Sequence, residues 1–275
     1  MNFNQKLDHA SAANNSLLCI GLDIDMSKIP KFLLNQEDPI FLFNKAIIDQ
    51  TRDLVCAYKP NIAFYEMHGT YGMESLKRTI EYIPKSIPVI LDAKRGDIGH
   101  TAAAYAKAIF ELYKADATTV NPYLGPESVL PFAEYRDKGI FVLCLTSNQG
   151  ARVLQIHGIE RGDIPLYKKV VKYALIWQQQ YKNIGLVVGA TKPQELKEIR
   201  GMVKDMPILI PGVGAQGGSV KECATVGTDK NGGRAIINSS RGIIYADSTE
   251  NFAKAAREKA KALKDEINSY RFGGN

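Results

Sequence analysis

The chain alternates short, continuously apolar runs with longer stretches in which apolar positions recur every three or four residues. The short runs predict strands at Leu17–Leu22, Leu54–Tyr58, Ile87–Leu91 and Ala117–Val120, then at Ile140–Leu145, Ile184–Val188, Pro207–Ile210 and Ala235–Asn238. None alternates polar with apolar, so each reads as a strand buried on both faces in a parallel sheet. The periodic stretches predict helices at Phe41–Arg52, Thr101–Tyr113, Tyr167–Tyr181 and Gln194–Lys204. A last helix is expected to open at Asp247, with Glu250 placed for a capping box, and to run toward Tyr270. Strands alternating with helices fit a closed parallel barrel or a doubly wound open sheet, and eight strands favour a (β/α)8 TIM barrel.

No linker rich in Pro, Gly or Ser divides the 275 residues and no short repeat is visible, so a single domain over 1–275 is expected. The longest polar connection, Asn148 to Pro165, follows the fifth strand and reads as an elaborated loop on the functional face.

A hydrophobic content of 45% supports a large core without metals or disulfides. Cys19, Cys56 and Cys144 sit in apolar runs and Cys223 in a polar helical stretch; without a C-x-x-C pair, neither a zinc site nor a disulfide framework is indicated. The net charge of +6 is spread among interleaved acids, which suits an anionic small ligand better than a nucleic acid. No basic stretch followed by an apolar one opens the chain and no long apolar segment occurs, so a cytoplasmic protein with no membrane partner is expected.

The densest polar cluster is Asp92-Ala93-Lys94-Arg95-Gly96-Asp97-Ile98-Gly99-His100-Thr101, at the carboxyl end of the third strand. Residues two apart share a face of a strand, so Asp92 and Lys94 point the same way, and barrel active sites are built at that end of the strands. The plainer reading is an ion pair with Asp97 capping a helix. Asp23 and Lys59 close the first two strands, so three consecutive strands end in charge.

The seventh strand runs into Pro211-Gly212-Val213-Gly214-Ala215-Gln216-Gly217-Gly218, and the eighth into Asn238-Ser239-Ser240-Arg241-Gly242. Barrels often hold phosphate on these two loops, through backbone N–H groups freed by glycine, and Arg241 adds a bidentate donor. The histidines His9, His68, His100 and His157 have no metal-like spacing, so no metal and no cofactor is expected.

Asp92-x-Lys94-x-x-Asp97-Ile98 together with Pro211-Gly-Val-Gly-Ala-Gln216-Gly resembles orotidine 5′-phosphate decarboxylase over nearly the whole chain. Asp-Ala-Lys-Arg-Gly-Asp-Ile-Gly and Lys59-Pro-Asn-x-Ala-Phe-Tyr-Glu66 are similar to the longer bacterial branch. The resemblance implies decarboxylation of orotidine 5′-phosphate to UMP without a cofactor. It implies that Lys59, Asp92, Lys94 and Asp97 form an alternating charge network with Lys94 as proton donor to C6. Asp23 would bind the ribose, Ser147 the pyrimidine amide, Gln216 and Arg241 the phosphate, and Pro211 would line the base pocket. A homodimer is also implied, with Asp97 and Thr101 reaching into the partner's site. The fourth strand ends in Asn121-Pro-Tyr-Leu-Gly rather than the His-Gly of the short form.

The chemistry suits these residues. Loss of carbon dioxide from C6 leaves an electron pair in the ring plane that no carbonyl can absorb, so a fixed positive charge must sit where it develops. The rivals are a magnesium-dependent sugar-phosphate decarboxylase of the same barrel group, a Schiff-base aldolase and a phosphate-ligand binding protein. The first does not account for Lys59 and Gln216. The second needs a lysine with depressed pKa, which neighbouring carboxylates oppose. The third has no need of alternating Asp and Lys.

Overall fold

A computed structural model describes residues 1–157, 164–214 and 217–272. The eight strands are β1 (Leu18–Gly21), β2 (Ala57–Lys59), β3 (Ile90–Arg95), β4 (Ala117–Val120), β5 (Gly139–Leu145), β6 (Ile184–Val188), β7 (Ile208–Pro211) and β8 (Ala235–Ser239). All pair in parallel, in the order β2-β1-β8-β7-β6-β5-β4-β3. Parallel bridges Tyr58↔Val89 and Asn61↔Asp92 join the two outer strands. The sheet thus closes into the expected barrel, which leaves no strand edge open.

Period-two alternation divides each apolar strand between two cores. One interior layer takes a residue from every strand: Cys19, Ala57, Ile90, Ala117, Phe141, Val187, Leu209 and Ile236. An amino-terminal helix, Phe3–Ala13, stoppers this layer from below with Phe3 and Leu7. Phe3 meets Phe141 edge-on at 5.5 Å, and a Cβ at Gly139 would lie 2.5 Å from the Phe3 ring, so glycine is required there. The outward residues, such as Leu18, Ile20, Tyr58 and Leu91, pack under the helical ring in the larger core.

The helices expected at Phe41–Arg52, Tyr167–Tyr181 and Gln194–Lys204 are found at Pro39–Thr51, Leu166–Tyr181 and Pro193–Val203. The one expected at Thr101–Tyr113 is α-helical over Gly99–Lys107 and widens to a π-turn at Ala108–Leu112. The last helix does not open at Asp247. Asp247 accepts from the Thr249 amide and hydroxyl instead, forming a turn, and the helix spans Phe252–Arg271 behind Asn251. Phe252 stacks on Phe43 at 5.1 Å, which sets where that helix begins. Cys223 is buried like the other three cysteines, on the inner face of its helix.

Phe141→Ala would empty the centre of the lower barrel, where the side chain is 1% exposed. We expect it to lower the unfolding free energy by about 3–5 kcal/mol in urea denaturation, with the fold retained.

Candidate active site

One step up from the apolar layer, the inward positions of four strands turn polar: Lys59 follows Ala57, Asp92 follows Ile90, Thr119 follows Ala117 and Asn238 follows Ile236. These residues floor a cavity of about 440 Å³ at the carboxyl ends of the strands. That size suits a small-molecule ligand. Asp23, Asn61, Lys94, Ser147 and Arg241 complete its polar rim, while Leu143, Val187, Leu209 and Pro211 form an apolar wall. Gly21 occupies the inward position of β1; a Cβ there would lie 1.8 Å from Ser240 Oγ, so glycine allows β1 and β8 to close under the site.

Asp92 is the centre of this floor. Its Oδ2 accepts from Lys59 Nζ at 3.1 Å, and its Oδ1 accepts from Lys94 Nζ at 2.7 Å and from Thr119 Oγ1 at 2.8 Å. Burial pushes the Asp92 pKa upward, but the two ammoniums and the Lys94 and Thr119 hydrogen bonds outweigh it and hold the carboxyl well below its ordinary range. Burial likewise pushes Lys59 toward the neutral form, but the Asp92 and Asp23 carboxylates hold its pKa above that of ordinary lysine. The Lys59 side chain is 4% exposed and that of Lys94 47%, so Lys94 is the ammonium that faces a ligand.

Asp92 and Lys94 converge as their spacing suggests, but not along a regular strand. Leu91 pairs with Thr118 and Arg95 with Val120, so three β3 residues stand opposite Thr119 alone. Lys94 lies at φ +45°, a left-handed conformation uncommon outside glycine.

Among the other expected residues, Asp23, Ser147, Pro211 and Arg241 all line the cavity. Arg241 opens a short helical turn, Arg241–Ile244, and the loop after β7 uses positive φ at Gly212, Gly214 and Gly217. Gln216 lies outside the described residues. Asp97 and Thr101 do not line this chain's cavity; Asp97 is half-buried and Thr101 is exposed. Asp97 does not cap the following helix either, since the capping position is Ile98 and Asp97 Oδ1 accepts the Ile98 amide.

Sequence reasoning did not single out Asn61, Thr119 or Asn238, which the barrel brings into the site. The signal was a polar residue at inward parity inside or just beyond an apolar run. Asp23 Oδ1 and Asn238 Oδ1 are buried with no hydrogen-bond partner among the described residues, and both belong to cavity-lining side chains. Among the described residues, no group of three His, Cys, Asp or Glu converges in a metal-holding arrangement.

A fixed ammonium beside a carboxylate, at the floor of a cavity with an arginine at its rim, can stabilise a carbanion on an anionic ligand and protonate it. Comparison with known proteins agrees in character. Residues 16–256 match the model of the family described as orotidine 5′-phosphate decarboxylase / HUMPS. A Cellvibrio japonicus protein named orotidine 5′-phosphate decarboxylase is 50% identical over 273 residues, covering 98% of each chain. One of the same name from Thermomicrobium roseum is 46% identical over 271 residues, covering 98% of this chain and 96% of its own. The solved structure of Leishmania donovani OMP decarboxylase superposes with a TM-score of 0.85 at 39% identity, covering 99% of this chain and all of that one.

The two shifted pKa values predict a pH window. Asp92 is depressed on folding, so its contribution is present above the unfolded carboxylate value and lost as pH falls toward the folded one. Lys59 is raised, so its contribution is complete below the unfolded lysine value and lost as pH rises through the folded one. The Asp92–Lys59 coupling is therefore expected to be flat from about pH 4 to about pH 10 and to decay on both sides. A double-mutant cycle in urea with Asp92→Asn and Lys59→Met measures it; a slope within the window would mean that another group titrates with the pair.

Proposed function

The chain belongs to the orotidine 5′-phosphate decarboxylase / HUMPS family, and on that premise we propose that it is a carboxy-lyase converting orotidine 5′-phosphate to UMP and carbon dioxide in pyrimidine biosynthesis. The observation that carries this reading is the Asp92 carboxylate held between Lys59 and Lys94 on the cavity floor. A sugar-phosphate decarboxylation is not favoured, because the relatives above carry the name of the orotidine enzyme.

The mechanism follows from charge placement. The substrate lies with C6 over Lys94 Nζ and its carboxylate beside Asp92. As the C6–carboxylate bond breaks, its electron pair stays on C6 in the ring plane, facing the ammonium. A proton then passes from Lys94 Nζ to C6, carbon dioxide leaves and solvent reprotonates the lysine. Asp92 anchors Lys94 and repels the departing carboxylate in the ground state. Lys59, buried beneath, keeps Asp92 ionised. Arg241, joined by Gln216, holds the phosphate, Asp23 the ribose hydroxyls and Ser147 the pyrimidine amide, with Pro211 against the base. Phosphate binding far from the broken bond contributes by keeping the site closed and dry.

We read the active form as a cytoplasmic homodimer of single-domain subunits; no helix among the described residues is long and apolar enough to cross a membrane. Asp97 and Thr101 lie outside their own cavity, and the segments after β2, β3 and β4 expose the apolar side chains Met67, Ile98 and Tyr123. Of the small residues that follow, Ala102 and Ala106 are buried under their own helix, leaving Ala103 and Ala104 for close approach by a second copy. In a twofold dimer Asp97 and Thr101 then complete the partner's site.

The absorbance change on adding orotidine 5′-phosphate tests the reading, and turnover is expected to survive EDTA. Lys94→Ala should abolish turnover while the protein stays folded, and Arg241→Ala should chiefly raise KM. Absence of wild-type turnover, or near-normal turnover by Lys94→Ala, overturns it. The shared site is tested by mixing inactive Lys94→Ala and Asp97→Ala dimers. With random exchange, half the dimers are mixed and half their sites intact, so roughly a quarter of normal activity should return. Exchange confirmed by mass without recovery would show that Asp97 serves its own chain.

A further inference from the structure

Thr119 is the β4 residue that faces three residues of β3, and its side chain is 1% exposed. Its hydroxyl makes two contacts of opposite sense. Oγ1 donates to Asp92 Oδ1 at 2.8 Å and accepts from the Lys94 backbone N–H at 2.9 Å. The directions are dictated by the partners, since an ionised carboxylate cannot donate and an amide N–H cannot accept. One hydroxyl therefore ties the side chain of Asp92 to the backbone of Lys94, across the bulge in which Lys94 takes its left-handed φ of +45°. The neighbouring Thr118 differs: its hydroxyl donates to the Leu91 carbonyl and links the two strands without touching either charge.

We propose that Thr119 is a positioning residue for the reaction, a hydroxyl clamp that sets the Asp92-to-Lys94 geometry and so holds the Lys94 ammonium where charge develops on C6. The inference rests on the decarboxylase reading and adds a residue to it. Thr119 is buried, while the Lys94 side chain it helps to place is half exposed toward the cavity. Without the hydroxyl, the Lys94 N–H loses a buried acceptor and Asp92 Oδ1 loses one of its donors. The bulge is then free to relax toward a regular ladder, carrying the Lys94 side chain away from its place. The residues proposed to contact phosphate and ribose, Arg241 and Asp23, follow β8 and β1 rather than β3 and β4, so those contacts do not pass through Thr119.

Two variants separate the hydroxyl from the shape of the side chain: Thr119→Val keeps the shape and Thr119→Ser keeps the hydroxyl. Thr119→Val is expected to lower kcat on the order of 100-fold, the scale of an ångström-sized misplacement, with KM changed by no more than about threefold. Thr119→Ser, despite the missing methyl, is expected to keep at least about a third of wild-type kcat. Calorimetric titration adds a readout that a purely structural role would not move. A UMP analogue with an anionic oxygen at C6 should lose about 100-fold affinity for Thr119→Val, while UMP itself should bind within about twofold of wild type. Wild-type turnover answers for the decarboxylase reading and the ratios among variants answer for the clamp, so the two can fail separately. The clamp is overturned if Thr119→Val turns over like wild type, if Thr119→Ser falls as far as Thr119→Val, or if UMP and the analogue weaken together.

Discussion

Asp92 carries a full negative charge on the floor of a barrel whose next layer down is entirely apolar, and the rest of the site is arranged to make that tolerable. A buried carboxylate is costly unless it is paired and its lone pairs are occupied. Lys59 from β2, Lys94 from the end of β3 and Thr119 from β4 occupy them here. Removing any one of them leaves Asp92 with one donor fewer in a buried position. The arrangement also fixes an ammonium at the cavity surface, so the contacts that make Asp92 tolerable are the ones that hold Lys94 in its place.

The barrel supplies this arrangement through its layers. Phe3 and Leu7 seal the bottom, the eight-residue apolar layer fills the middle, and polar side chains follow one step higher on β2, β3, β4 and β8. Because inward positions repeat every second residue, the height of the apolar layer sets that of the charged one. Stability is concentrated below and function above. The strain at Lys94 sits in the functional layer, where it aims a side chain rather than packs one.

The charge pair and the glycine- and arginine-bearing loops proposed to hold phosphate lie on separate arcs of the same rim. Lys59, Asp92 and Lys94 come from β2 and β3, while Pro211 and Arg241 follow β7 and β8. A ligand spanning the cavity can thus be gripped at one end and altered at the other. This separation lets binding energy from a remote group serve the reacting carbon.

Much of this was legible along the chain. Continuous apolar runs marked the strands to within a few residues, and the charges ending β1, β2 and β3 pointed to one face. Asp23, Lys59, Asp92, Lys94 and Arg241 were legible because a strand end and a short spacing are local properties. What local pattern could not determine required knowing which strands are neighbours and in what register. Thr119 reads as an ordinary strand threonine until β4 is set beside β3 and found opposite a bulge. Asn61 and Asn238 become site residues only when the ring closes and their parity turns inward. The last helix illustrates the same limit: a capping pattern at Asp247 was outweighed by the stacking of Phe252 on Phe43, a contact between residues more than two hundred positions apart. Sequence determined the elements, the charges and the face on which they meet. Tertiary structure decided the pairing register, and with it which buried polar groups satisfy one another, because hydrogen-bond partners are chosen by distance across strands and not by distance along the chain.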